Sequence, residues 1–187
     1  ANLNLIACDH LSAPVRLRAK VRYRMAAQLG HEIVPPHGSL VPLVSEDEAC
    51  RQMQGLALKN VELTVLNRKG KAIFREFGEM LFTHFGVSGP LVLSASTYIE
   101  DITKHRYICE FDLKPALDPE VLDKRLVHDF QKYQNKCFKN SLNDLLPKKL
   151  IDFFVAKCGI DPDKKVNAVT KAERAKIVGM LKNLEFD

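Results

Sequence analysis

The clearest pattern along the chain lies between residues 61 and 66. Val61, Leu63 and Val65 alternate there with Glu62, Thr64 and Leu66, the two-residue period of a half-buried strand. Asn67-Arg68-Lys69-Gly70 follows as a hairpin signal, since glycine supplies the positive φ that a short turn needs. The return strand is predicted over Lys71 to Phe77, and a further apolar strand over Met80 to Phe85. The glycine between them, Gly78, predicts a bulge or sharp bend, as at the corner of a small barrel. Ser88-Gly89-Pro90 reads as a helix start, with Ser or Gly as cap and Pro at the first helical position. Leu91 to Tyr98 then makes two turns of helix. Alternation returns from Arg106 to Leu113, with Tyr107, Cys109, Phe111 and Leu113 on one face. That register turns Cys109 inward as an unpaired thiol.

After Pro115 the period changes to 3.6. Asp118-Pro119-Glu120 is a cap-and-proline start, and Leu122, Leu126, Phe130 and Tyr133 share one stripe. Ser141 to Leu146 reads as a short helical turn. Pro147 opens another helix that buries Leu150, Ile151 and Phe154 and stops at Gly159. Thr170-Lys171-Ala172-Glu173 has the spacing of a capping box, ahead of an apolar face of Ile177, Met180, Leu181 and Leu184. Upstream of the strands, Val21 to Leu29 has helix-forming composition with Gly30 as its stop, and His31 to Val34 is extended. The chain thus has a β-rich part to about residue 115 and a helical part beyond it.

Composition places this pattern in a soluble globular protein. The 187 residues are 46% hydrophobic and 27% charged, which excludes long disorder, collagen and a disulfide-stapled miniprotein. Apolar runs stay far below the ~20 residues that span a bilayer, and the start has no signal-peptide pattern, so the expected location is cytoplasmic, with no membrane partner. The net charge of +5 suggests nucleic acid until it is mapped. Residues 1–24 carry five basic residues against Asp9; residues 25–100 carry six basic and eight acidic, and residues 101–187 seventeen and fourteen. Most of the excess sits in the amino-terminal stretch, which argues against nucleic acid as the partner. Five cysteines with no C-x-x-C pair, and six histidines with no close pairing, predict no metal site and reduced, mostly buried thiols.

No phosphate-binding glycine motif, nucleophile elbow or metal spacing is present, and no catalytic residue is assigned. The one dense stretch is Gly78 to Pro90, which gathers glycines, a Thr, a His and a Ser between a strand and a helix start. Its corner, Thr83, His84, Gly86, Ser88, Gly89 and Pro90, could present backbone N–H groups and a helix dipole to an anion, with His84 as donor. A capped strand-to-helix corner accounts for the same residues.

Gly78 through Ser94, GEMLFTHFGVSGPLVLS, resembles the signature of the HI0933-like family of FAD-dependent flavoproteins, NAD(P)/FAD-dependent oxidoreductases of the aminoacetone oxidase type. Tyr23-Arg24-Met25-Ala26, Ser39-Leu40-Val41-Pro42-Leu43 and Gln54 to Val61 resemble the stretches entering that family's inserted domain. Leu145 to Leu150 and Leu181 to Leu184 resemble its helical part. The glycine-rich parts that hold the dinucleotide on either side of the insert have no counterpart here, and Ala1 to Arg22 does not fit the pattern.

The resemblance implies an α+β fold: a small antiparallel β-barrel, translation-factor-like, with a compact helical subdomain. The expected division is a non-family lead and a helix over 1–34, the barrel over 35–115, and the helical subdomain with a truncated return strand over 116–187. The implied function is the substrate-side domain that covers the flavin, inactive alone. FAD belongs to the full-length family, and no cofactor is expected in this chain. The corner Thr83 to Pro90 would then face the flavin site. The implied partner is the missing FAD-binding domain, and an open barrel edge is a surface through which two copies can pair. The alternatives are a stand-alone barrel that binds RNA or a protein, and an inactive remnant.

Overall fold

The computed structural model describes residues 38–45, 47–99 and 107–186. The helix expected over Val21 to Leu29, and the extended run after it, lie outside them. Among the described residues six strands form one sheet: β1 (Leu43–Val44), β2 (Ala57–Leu66), β3 (Ala72–Thr83), β4 (Gly86–Ser88), β5 (Ile108–Asp112) and β6 (Leu184–Phe186). Five α-helices accompany them among the described residues: α1 (Glu48–Gln52), α2 (Pro90–Ser96), α3 (Pro119–Lys132), α4 (Lys148–Cys158) and α5 (Lys171–Lys182). The strand order is β1-β4-β3-β2-β5-β6, and every pairing is antiparallel.

The α+β class, with an antiparallel sheet and a set of helices, is as the sequence implies. Closure is the point of difference. Among the described residues β1 and β6 stand at opposite edges and do not pair, so the sheet is open rather than a closed barrel. Strands of two and three residues are too short to bring the edges together and complete a ring.

The alternation read in β2 holds, with Val61, Leu63 and Val65 buried. The turn after it is tied by Asn67, whose Oδ1 accepts the N–H groups of Lys69 and Lys71 at 3.0 Å each. Gly70 adopts φ 72° there. The two strands expected on either side of Gly78 are one continuous strand, β3. The extra residue is across the ladder: Leu58 pairs with Met80 and Val61 with Gly78, so a bulge sits in β2, where Asn60 has φ 58°. A short polar side chain tolerates that left-handed conformation. At Gly78 the missing side chain leaves room for Leu91 of α2, whose Cδ1 would stand 3.4 Å from a Cβ.

The helices follow their sequence signals closely. Leu122, Leu126 and Phe130 of α3 and Leu150, Ile151 and Phe154 of α4 are buried. Gly159 ends α4 in the left-handed conformation. Thr170 and Glu173 form the expected capping box at α5. Helix α1 is an addition, started by Asp47, whose Oδ1 accepts from Ala49 N at 2.9 Å. The buried side chains of sheet and helices make one core, from Leu43 to Leu184. Cys109 is half-buried and unpaired, on the core side of β5.

Helix α5 leads directly into β6, which pairs with β5 (Phe111 opposite Leu184). Leu113 N donates to Leu181 O at 2.9 Å, and Lys182 Nζ lies 2.6 Å from Asp112 while also donating to the carbonyls of Lys114 and Leu117. The helical part is fastened to the sheet along this line.

Two outcomes test these contacts. Glu173 accepts from Lys164 Nζ at 2.7 and 2.9 Å and from Thr170 N at 2.7 Å. The Lys164 bond first, then the backbone donor, holds its carboxyl down to about 2, against an ordinary 4.5. The folded state therefore favours the carboxylate, and this stabilisation is complete above pH 4.5 and disappears as pH falls toward 2. Urea unfolding of Glu173→Gln across that window should show a flatter loss of stability than the wild type. Separately, Gly86→Ala should lower stability by about 2 kcal/mol or more, read from the urea midpoint, because its Cβ would overlap the Leu43 carbonyl oxygen and lie 2.7 Å from Ser45 N.

Candidate functional site

The corner singled out by its residue types proves to be a hairpin, not a direct strand-to-helix turn. β3 ends at Thr83, His84 and Phe85 form the turn, and Gly86–Ser88 returns as β4 with Thr83 opposite Gly86 and Leu81 opposite Ser88. Only then does Gly89 cap α2, with Pro90 at its first position. A three-residue strand is too short to show a period, so the sequence could not display it. Thr83 Oγ1 accepts from Phe85 N at 3.4 Å, and Phe85 O accepts from Ser45 N at 3.1 Å.

The structure divides the six corner residues into two groups. Gly86 and Gly89 are contact points between backbones. Gly86, at φ 152°, admits β1, and at Gly89, at φ 98°, a Cβ would stand 2.9 Å from Met80 Cα. Both combine a backbone angle that disfavours side chains with no space for one. Ser88 does not cap the helix, and Leu91 and Val92, the next residues of α2, are buried. His84 is exposed at the turn, edge-on to Phe85 with ring centroids 4.9 Å apart, and Thr83 beside it is half-buried. Close by on the outer face are exposed apolar side chains that the sequence reading did not connect with the corner: Leu81, opposite Ser88, and Val44, opposite Gly86. Phe77, four residues back from Leu81 on the same face of β3, is 60% exposed.

Other chemistry is sparse. Burial pushes the Cys109 thiol up to about 12 and the Cys158 thiol to about 11, so neither is a thiolate nucleophile near neutral pH. Among the described residues no group of His, Cys, Asp and Glu is gathered for a metal ion. An open groove of about 570 Å³ lies between α3 and α5, but two of its charged side chains are already engaged, Asp123 with Arg174 and Lys182 with Asp112. No helix among the described residues is long and apolar enough to cross a membrane.

The helical part holds a second feature invisible in the sequence. The loop after α3 and the loop after α4 lie side by side: Cys137 bridges Lys165, Phe138 N donates to Lys164 O at 2.8 Å, and Val166 N donates to Lys136 O at 3.1 Å. Phe138 is buried beneath them, edge-on to Phe130. The junction gathers many lysines, but Lys132, Lys139 and Lys164 are paired with Asp144, Asp163 and Glu173. Lys136 stands over the Tyr133 ring at 3.9 Å, a cation–π contact.

With this geometry in view, the similarities are specific. Residues 37–187 match the HI0933-like protein barrel and H2TH domain. The ribosomal RNA dihydrouridine synthase of Haemophilus influenzae is 29% identical over 184 residues, covering 97% of this chain and 42% of that protein. The alignment reaches into the amino-terminal lead that the quoted motifs leave aside. The enzyme of the same name from Escherichia coli is 28% identical over 179 residues, covering 95% of this chain and 42% of its own length. The chain therefore spans less than half the length of these relatives. From its GEMLFTHFGVSGPLVLS segment through the two joined loops to β6, this chain belongs to the HI0933-like family, as its barrel and H2TH domain.

Proposed function

We propose that this chain is the substrate-side domain of a flavin-dependent enzyme that reduces uridine to dihydrouridine in ribosomal RNA. The observation that carries the reading is the alignment of nearly the whole chain with two relatives named for that activity. This differs in substrate from the aminoacetone oxidase type that the sequence resemblance implies, and it brings in the RNA-binding alternative as part of the same function. Saturating the uracil C5=C6 bond adds one hydrogen as hydride and one as a proton, and the family's FAD is the group that would supply the hydride. The residues described here do not fit as the holder of that flavin. A dinucleotide is normally bound at a helix amino terminus within a parallel strand–helix–strand unit, and every pairing in this sheet is antiparallel. Flavin binding is accordingly assigned to the rest of the enzyme, and the work of this domain is to hold the RNA and to cover the site.

Within that division the corner keeps a role. His84 and Thr83, at the end of the β3–β4 hairpin, with Leu81 and Val44 beside them, are the part of the domain turned toward the flavin-binding remainder. Gly86, Gly89 and Pro90 hold the hairpin and α2 in place, and Ser88 joins them to the outer face.

In the full-length enzyme, His84→Ala and Ser88→Ala should lower the dihydrouridine content formed in ribosomal RNA. Thermal melting of the 187-residue chain should be nearly unchanged by the same substitutions. The purified 187-residue chain should show no flavin absorbance. Stoichiometric flavin in that chain, or full activity in both variants, would overturn the assignment.

A further inference from the structure

At the tip of the β2–β3 hairpin three cations stand together without a carboxylate partner among the described residues. Arg68, Lys69 and Lys71 are exposed, and none of them makes an ion pair with a described residue. Several cations elsewhere are neutralised, although Lys59, Lys124, Lys148, Lys171 and Lys176 are also exposed without a carboxylate among the described residues. Arg75 on the same hairpin is bound to Glu62, and Lys132, Lys139, Lys164, Arg174 and Lys182 each meet a carboxylate. No acidic residue lies between Glu62 and Glu76 in the sequence, and along the neighbouring strand the nearest is Glu110, opposite Thr64.

The turn is also held firmly. Asn67 Oδ1 accepts two backbone N–H groups, Gly70 N donates to Asn67 O at 2.8 Å, and Asn67 N donates to Lys71 O at 2.9 Å. Three cations on an ordered ribbon tip lose less backbone entropy on meeting an anion than three on a mobile loop. β3 runs 12 residues from this tip to the Thr83–His84 corner, which separates the two ends by roughly 35 Å along the strand.

Resting on the reading of this chain as the substrate-side domain of an enzyme acting on ribosomal RNA, we infer that Arg68, Lys69 and Lys71 grip the phosphate backbone of that RNA at a distance from the reacting uridine. A folded RNA offers evenly spaced phosphates over such a length, and lysine and arginine contacts to them give affinity and register without reading sequence. An acidic protein is the competing partner for the same charges. The relatives' action on ribosomal RNA and the length between tip and corner favour RNA.

The test is a titration of the 187-residue chain with deproteinised ribosomal RNA at several salt concentrations. The triple variant Arg68→Gln, Lys69→Gln, Lys71→Gln should bind about tenfold or more weakly, and the slope of log affinity against log salt should shrink by about two to three. Its melting temperature should match the wild type, because all three side chains are exposed. A control triple, Lys148→Gln, Lys171→Gln, Lys176→Gln, removes the same charge from exposed helical positions and should change affinity much less. Wild-type binding that the tip variant leaves intact would overturn the tip while leaving the proposed function standing. Equal losses in both triples would also overturn the tip, by showing a diffuse charge effect. Retained RNA affinity with lost binding of poly-L-glutamate would assign the tip to an acidic protein and overturn the proposal. A wild-type chain that binds no RNA would overturn the proposed function and the tip together.

Discussion

A sheet with one apolar face has to be covered, and in this domain the cover is continuous with the sheet. Helix α5 passes into β6, β6 pairs with β5, and Lys182 closes the joint by reaching Asp112 and two carbonyls beyond it. Phe111 and Leu181, on either side of this joint, are fully buried. The pair Lys182–Asp112 is mostly shielded from solvent and shares its donors with backbone oxygens, the condition under which a buried ion pair has its remaining hydrogen-bond capacity met. Remove this return and β5 becomes an edge with no helical layer fixed against it. α3 and α4 both pack on α5, and Lys149 of α4 also donates to the Gln54 carbonyl.

At the other edge the limiting factor is steric. β1 and β4 are very short, and what holds them is close approach rather than length. Gly86 lets β1 come against β4, and Gly89 lets β4 turn into α2 over Met80. Two of the residues that make the family motif conspicuous are thus explained by backbone contact, which leaves Thr83, His84 and Ser88 as the corner's chemically available side chains. In the proposed reading the same stretch serves folding and function through different residues, and a substitution series that mixes the two groups would confuse them.

Net charge alone is a poor guide to this protein's partners, because Arg125, Lys132, Lys139, Lys164, Arg174 and Lys182 of the helical part are paired with neighbouring carboxylates. Exposed pairs of this kind contribute little to stability, but they remove the lysines from the long-range field. Among the cations left over, three stand together at the β2–β3 tip, and Lys136 stands over the Tyr133 ring at the loop junction. The proposed RNA-facing role rests on position rather than on total charge.

Local patterns in the sequence determined the elements whose stability is local. The alternation of Val61, Leu63 and Val65, the glycine of the Asn67–Gly70 turn, the Thr170–Glu173 box and the Gly159 stop each act within a few residues, so each is legible before folding. The family motif identified the corner for the same reason, as a run of neighbours. Tertiary structure alone decided that β3 passes through Gly78, that the bulge belongs to Asn60 across the ladder, and that β4 intervenes between corner and helix. It also decided that the sheet stays open among the described residues, that the two helical loops are bridged, and which cations are left unpaired. Those outcomes depend on partners far apart in sequence, and pairing, close approach and charge neutralisation between distant residues leave no periodic trace along the chain.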